Sequence, residues 1–372
     1  MRRVAALLFV LLALLVTGRD AFAAPQGKMV MGRGGWVTTL DPSLETSFVL
    51  TETLPNLFDT LLTRDPESGK IVPHLAESYR YVEPTLLEFK IRKGVKFSNG
   101  EPVDAHAVKF SFERIIDPKN KSGQMEYFRS ISKIEVVDEH TVRIHTKVPD
   151  AYLDSILTGW GYIIPPKYYS SHDSAHLASN PVGSGPYKLV SWKKRQEIVL
   201  EARADYWQPG VPRVKTAIIK EIPEDATRVA ALLAGDVDVA DRVPPQMVDR
   251  IRAVPGLEVV NYFAPRVAFT SLIVKDKPLS DVRVRQAMNY AIDKENLIKN
   301  ILQGYGRQVS VLQIPESFGY NPNITPYPYD PEKAKKLLAE AGYPNGFDVD
   351  LYVPVGRYFM GETMGEAIAG YL

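Results

Sequence analysis

The chain has 372 residues, 45 Lys and Arg against 44 Asp and Glu for a formal net charge of +1, 45% hydrophobic residues and no cysteine. A balance this close to neutral leaves no electrostatic footprint for nucleic acid or an anionic membrane surface, and the lack of cysteine excludes disulfides, thiolate metal sites and a cysteine nucleophile. The length predicts two or three domains with cores large enough to do without cross-links.

Arg2 and Arg3 precede an unbroken apolar run of 13 residues, Val4 to Val16, and Ala21-Phe22-Ala23 places small residues where a signal peptidase reads. The run is too short to cross about 30 Å of hydrocarbon as a helix, so residues 1–23 are expected to be a secretory signal cut between Ala23 and Ala24. No cysteine follows, which excludes a lipoprotein anchor. Loss of Arg2, Arg3, Arg19 and Asp20 leaves 42 basic against 43 acidic residues, a mature charge of −1.

Residues 86–96 alternate, with Leu87, Phe89 and Ile91 on one face, and Ser98-Asn99-Gly100 supplies a turn. Asp104 can cap the next helix, whose Val108, Phe112 and Ile115 share a face at helical spacing. A hairpin follows from Ile134 to Thr146, bent at Asp138-Glu139. These elements predict a small α+β unit over 69–179. Strands are expected at Tyr187–Ser191 and Glu197–Ala202. A helix from Asp225 carries Val229, Leu232 and Leu233 and stops at Gly235, which suits the left-handed position after a helix. Residues 180–264 are expected to complete a domain begun by 24–68, making the small unit an insertion.

Beyond Pro265 the pattern is strand, helix, helix, strand. Asp281 and Asp293 can cap helices carrying Val284, Met288 and Ala291, then Leu297 and Ile301. Asp330-Pro331 opens another, because proline at the first helical position loses no hydrogen bond; its buried face is expected to hold Ala334, Leu337, Leu338 and Ala341. Phe347, Val349, Leu351 and Val353 alternate as a strand, and 361–372 form an amphipathic helix followed by no cap. One strand and its helix do not make two packed layers, so 265–372 is expected to be a truncated second lobe.

Chemical motifs are sparse. Val182-Gly183-Ser184-Gly185 lacks the glycine two places before the serine that a nucleophile elbow requires, and reads as a turn. Gly32-Arg33-Gly34-Gly35 has Val37 where a dinucleotide loop needs its last glycine. His172 and His176 have a spacing that could hold a metal, but their serine-rich neighbours favour a solvated loop or short helix.

The segment Leu40 to Pro118 reads LDPSLETSFVLTETLPNLFDTLLTRDPESGKIVPHLAESYRYVEPTLLEFKIRKGVKFSNGEPVDAHAVKFSFERIIDP. Together with NPVGSGPY (180–187) and KPLSDVRVRQAMNYAIDKENLI (277–298), it resembles the bacterial extracellular solute-binding proteins of family 5, which feed dipeptides, oligopeptides, nickel or glutathione to ABC importers. The resemblance covers nearly the whole mature chain. It implies an α/β, two-lobed periplasmic-binding-protein architecture of type II, with the inserted small α+β domain and an incomplete second lobe. It further implies a periplasmic monomer without cofactor or catalytic activity, which closes on a peptide and hands it to an inner-membrane permease. Nickel or a metal chelate, glutathione, haem or a sugar-like solute are the alternatives on the same frame; a secreted hydrolase and an inactive fragment are the alternatives of other classes.

Arg357, in PVGRYF (354–359), falls on the position of the family's carboxylate-binding arginine in dipeptide binders, whose planar fork suits bidentate recognition. Thr46 and Ser47, in LETSF, match the loop that faces the ligand, although their hydroxyls serve equally well as helix caps. Trp160 and Tyr358 are candidate stacking aromatics. Ile273 stands where relatives usually have Asn, and the acidic partner of a peptide ammonium would lie beyond Leu372.

Overall fold

A computed structural model describes residues 24–372 apart from 45, 262–265, 318 and 355–357. The chain divides into two compact units, one running to Met31 and then over Trp36–Glu221, the other comprising Gly32–Gly35 and Ile222–Leu372. The expected signal peptide, including Ala23, lies outside the described residues; Ala24 is exposed.

Two open sheets organise the first unit. Strands β1 (Gln26–Arg33), β8 (Tyr187–Lys193), β9 (Glu197–Ala202) and β10 (Val214–Glu221) lie in one sheet in the order β1-β10-β9-β8. Its strands come from both ends of the small α+β segment. In the antiparallel β9–β10 ladder, Leu200 faces Ala217 and Ile198 faces Ile219, and all four are buried. This is the period of two carried into a core. Against that face lie Leu50, Leu54, Leu57 and Phe58, from the short helices α1 (Phe48–Thr51) and α2 (Leu54–Leu57) and the residue after them.

The other sheet, order β4-β5-β7-β6, joins β4 (Ala76–Glu83) to β5 (Leu86–Ile91) and β6 (Ile131–Asp138) to β7 (Thr141–Thr146) through antiparallel pairs. Helix α3 (Ala105–Ile116) covers it; the Asp104 carboxylate accepts from the Ala107 N–H at 2.8 Å, and Val108, Phe112 and Ile115 are buried. The hydrophobic core of this sheet reaches back to Leu61 and Leu62, and β2 (Leu62–Arg64) pairs with β3 (Ile71–Pro73) across the position where the sequence places the start of the small domain. The chain continues through α4 (Leu153–Ile156), α5 (Pro166–Ser171) and α6 (Ser174–Leu177).

The second unit carries α7 (Asp225–Ala234), α8 (Val248–Arg252), α9 (Val282–Ala291), α10 (Lys294–Asn300), α11 (Pro331–Glu340) and α12 (Gly361–Tyr371). Asp281, Asp293 and Asp330 cap α9, α10 and α11, each accepting a backbone N–H, and Gly235 ends α7 at φ 78°. On α11 only Ala334 is fully buried, while Leu337 and Leu338 are half-buried. The strands expected just after Pro265 and over 347–353 do not form. Ile273 and Tyr352 are 73% and 85% exposed. Alternation makes a strand only where a neighbour completes the hydrogen-bonded ladder, and among the described residues neither segment has one.

Candidate functional site

The loop bearing Thr46 and Ser47 hangs on buried polar anchors. Just upstream, the Asp41 carboxylate accepts two hydrogen bonds from Arg114 of α3, at 3.0 and 2.7 Å, with the acid fully buried and the arginine side chain 10% exposed. Asp41 also accepts from the Ser43 N–H, which turns the chain. Ser122 Oγ donates to the Ser43 carbonyl at 2.5 Å, the Gly123 N–H donates to the Leu44 carbonyl at 3.1 Å, and the buried Gln124 amide donates to the Pro42 carbonyl. Residues 41–44 are thereby fixed by α3 and by residues 122–124, and the chain leaves them towards Thr46 and Ser47.

Both hydroxyl residues are half-buried. Ser47 occupies the N-cap position of α1 with extended φ −66° and ψ 141°, and its backbone carbonyl accepts from the Leu50 N–H, yet its side chain makes no capping bond. Of the two readings open to this hydroxyl, capping is therefore the one the structure does not use. Trp160 stacks on Tyr127 at 5.8 Å and packs against the core of the four-stranded sheet. Its neighbour Gly161 donates its N–H to Gln124 Oε1 at 3.2 Å. Gln124 thus links the residue after Trp160 to Pro42, upstream of Thr46 and Ser47, within the first unit.

Tyr358 belongs to the second unit, where it is 52% exposed and its carbonyl accepts from the Gly361 N–H at the start of α12. Arg357 lies outside the described residues. Two concavities lie on the second unit. One of about 560 Å³ includes Glu295, Lys299 and Gln303, and another of about 340 Å³ includes Asn296, Asn300 and Tyr371. Neither contains an expected ligand residue, and both are open to solvent, so the anchored loop is the better candidate.

Several buried polar groups escape sequence reasoning. Asp59 accepts from Tyr206 Oη at 3.0 Å and Trp207 Nε1 at 3.2 Å, with His74 Nε2 3.0 Å away, and burial, followed by the Asp59 charge, pushes the Tyr206 phenol upward. Arg203 donates to the carbonyls of Gly183, Gly185 and Lys96. Ser184 between those glycines is fully buried, which removes it as a nucleophile. In the second unit Arg228, fully buried, donates to the carbonyls of Ile222, Pro223, Asp241 and Arg242 and packs against Gly34. Burial raises the Asp241 carboxyl against the opposing Gly34 N–H and Arg228. Sequence offered a hint only at Ser111, a polar residue inside the apolar stripe of α3, which accepts the Ile164 N–H at 2.9 Å.

The chain is 32% identical over 334 residues, 89% of its length, to the glutathione-binding protein GsiB of Escherichia coli O1:K1, and it spans 64% of that relative's length. Among solved structures, the periplasmic binding protein DppA of Helicobacter pylori in complex with the peptide STSA matches with a TM-score of 0.84 and 29% identity, over 93% of this chain and 71% of that one. AgaA of A. tumefacien R10 in complex with agropinic acid matches with a TM-score of 0.82 and 31% identity, over 93% and 70%. These neighbours are two-lobed periplasmic binding proteins, and the mixed α/β chain with open sheets is of that class. Residues 70–372 match the description "Bacterial extracellular solute-binding proteins, family 5 Middle", and the chain belongs to the bacterial extracellular solute-binding proteins of family 5.

Proposed function

We propose that this chain belongs to the periplasmic solute-binding component of an ABC importer, and that its ligand is a short peptide. It captures the ligand by lobe closure and presents it to an inner-membrane permease, acting as a carrier without catalysis. The observation that carries the ligand class is the pair of relatives: one is named for glutathione, itself a tripeptide, and the other is solved with a tetrapeptide. The anchored loop supports it, because a Ser47 hydroxyl that does not cap its helix is available to peptide backbone groups. Export as a soluble periplasmic monomer, after cleavage between Ala23 and Ala24, belongs to the same proposal, as do the lobe boundaries at 24–68 with 180–264, 69–179 and 265–372. N-terminal sequencing of secreted protein tests the cleavage.

Arg357 is proposed to take the ligand carboxylate as a bidentate fork, with Tyr358 and Trp160 stacking on the ligand. Calorimetric titration with dipeptides, tetrapeptides and glutathione, each as free acid and C-terminal amide, tests both ligand and residue. Saturable binding that prefers the free acid is expected. Arg357→Ala should weaken it by about 2–5 kcal/mol, roughly thirty-fold or more, and abolish the acid preference. An unchanged preference in that variant removes Arg357 from the site. A second reading rests on AgaA: agropinic acid, the ligand solved with it, points to a carboxylated sugar-derived solute. Saturation by agropinic acid with no response to any peptide would select that reading.

A further inference from the structure

His172 and His176 lie at an exposed corner where α5 ends and α6 begins, with their rings stacked at 4.2 Å and 17°. Hydrogen bonding fixes the proton on each. A backbone carbonyl can only accept, so the 2.9 Å contact between His172 Nδ1 and the Tyr168 carbonyl places the proton on Nδ1 and leaves the Nε2 lone pair bare. Ser171 Oγ agrees with this assignment: it donates to the same carbonyl at 3.0 Å, and so accepts from His172 Nδ1 at 3.0 Å. The Tyr168 hydroxyl donates its single proton to the Asn180 carbonyl at 2.9 Å, so towards His176 Nε2, 3.0 Å away, it accepts. His176 therefore carries its proton on Nε2 and its lone pair on Nδ1.

Two adjacent imidazoles are thus each held, through the second ring nitrogen, in a tautomer that leaves the other nitrogen free to ligate. Metal-bound histidines are oriented in this way, by a hydrogen bond from the non-ligating N–H. We propose that His172 and His176 form a surface chelate for a late first-row divalent cation, with Cu²⁺ held more tightly than Ni²⁺ or Zn²⁺, the usual order for such ligands. Bonds of about 2.0–2.1 Å place two nitrogens on one tetrahedral ion roughly 3.3 Å apart, so binding turns the two rings out of their present stack until the bare nitrogens converge. Among the described residues no group of three His, Cys, Asp or Glu side chains converges, so the remaining positions fall to water or to donor atoms of a small molecule. Asp173, between the two histidines, uses Oδ1 to cap the His176 N–H at 2.8 Å and so holds α6 in place. The site is independent of the peptide loop.

The test is calorimetric titration of the untagged protein with copper, nickel and zinc salts, paired with long-range ¹H–¹⁵N spectra of its imidazoles. One saturable site is expected, tightest for Cu²⁺. His172→Gln and His176→Gln should each weaken it at least tenfold, and Tyr168→Phe, which removes the acceptor for His176 Nε2–H, by roughly ten- to a hundred-fold. In the metal-free protein at a pH where both rings are neutral, His172 should appear as the Nδ1–H tautomer and His176 as the Nε2–H tautomer. Both side chains are exposed, so the double Gln variant should melt as the parent does. Undiminished Cu²⁺ affinity in that variant, or the opposite tautomers in the parent, overturns the proposal.

Discussion

Arg114 and Asp41 meet in the protein interior through two hydrogen bonds, at 3.0 and 2.7 Å, just upstream of the Thr46–Ser47 loop. Removing one partner of a buried ion pair strands the other charge, at a cost of about 3–5 kcal/mol. Arg114→Ala is therefore expected to lower urea-unfolding stability by about that amount, with Arg114→Lys recovering only part because a point charge replaces a planar fork. Ser47 makes the opposite case. A capping hydroxyl is worth about 1 kcal/mol and a ligand-facing one about 0.5–1.5 kcal/mol of binding. Ser47→Ala should leave stability unchanged while weakening peptide binding about two- to tenfold; a loss of stability with full affinity would assign the hydroxyl to the helix. Asp281 supplies a titration. Its carboxyl is held at about 2 against an ordinary 3.8, chiefly by the Arg283 side chain and then by the Arg283 N–H. The folded value lies below the unfolded one, so its stabilisation is complete above 3.8 and fades as the pH falls from there towards 2. An NMR titration should find its midpoint near 2, moving up towards 3.8 in Arg283→Ala.

At the scale of elements, chain-local signals held best. Each of Asp104, Asp281, Asp293 and Asp330 caps the helix that the sequence assigns to it, because a cap is a contact between residues three or fewer apart. Strands fared unevenly for the complementary reason: β4 to β7 and β8 to β10 have partners, whereas the alternating 347–353 has none among the described residues. The Val182–Pro186 segment was legible as a turn, but its two glycines matter for packing as much as for turning. A side-chain carbon at Gly183 would stand 2.1 Å from the Leu57 carbonyl oxygen, and one at Gly185 2.5 Å from the Leu57 carbonyl carbon. Overpacking of this kind costs about 1–3 kcal/mol or more. Gly183→Ala and Gly185→Ala should both lower the melting temperature clearly. Gly159→Ala, with open space around it and no positive φ, should leave it unchanged.

At the scale of the whole molecule, the core of the four-stranded sheet draws on chain that precedes residue 69. Leu61 and Leu62 are fully buried in its core, and β2 pairs with β3. A fragment spanning 59–179 is therefore expected to melt cooperatively and at higher temperature than one spanning 69–179, which loses both leucines and the ladder. Burying two leucines contributes about 3–6 kcal/mol at most, enough to decide whether a fragment of this size folds. Equal melting of the two fragments would show that the core closes without its N-terminal segment.

Sequence alone determined the class of fold, the helix caps, the strands over 86–91, 187–191 and 197–202, the hairpin over 134–146 and the family, since all of these are written in periodicity, turn chemistry or contiguous motifs. Tertiary structure decided the rest. Asp41 finds Arg114 73 residues away, Gln124 bridges Pro42 to Gly161, and Arg228 gathers carbonyls from two separated stretches of chain. No local pattern encodes such partners, because a buried polar side chain is placed by whichever unpaired donors and acceptors the packed elements bring to it. The same holds for His172 and His176: the spacing puts them close in sequence, but only the folded chain brings the Tyr168 carbonyl and hydroxyl within hydrogen-bond reach of their rings.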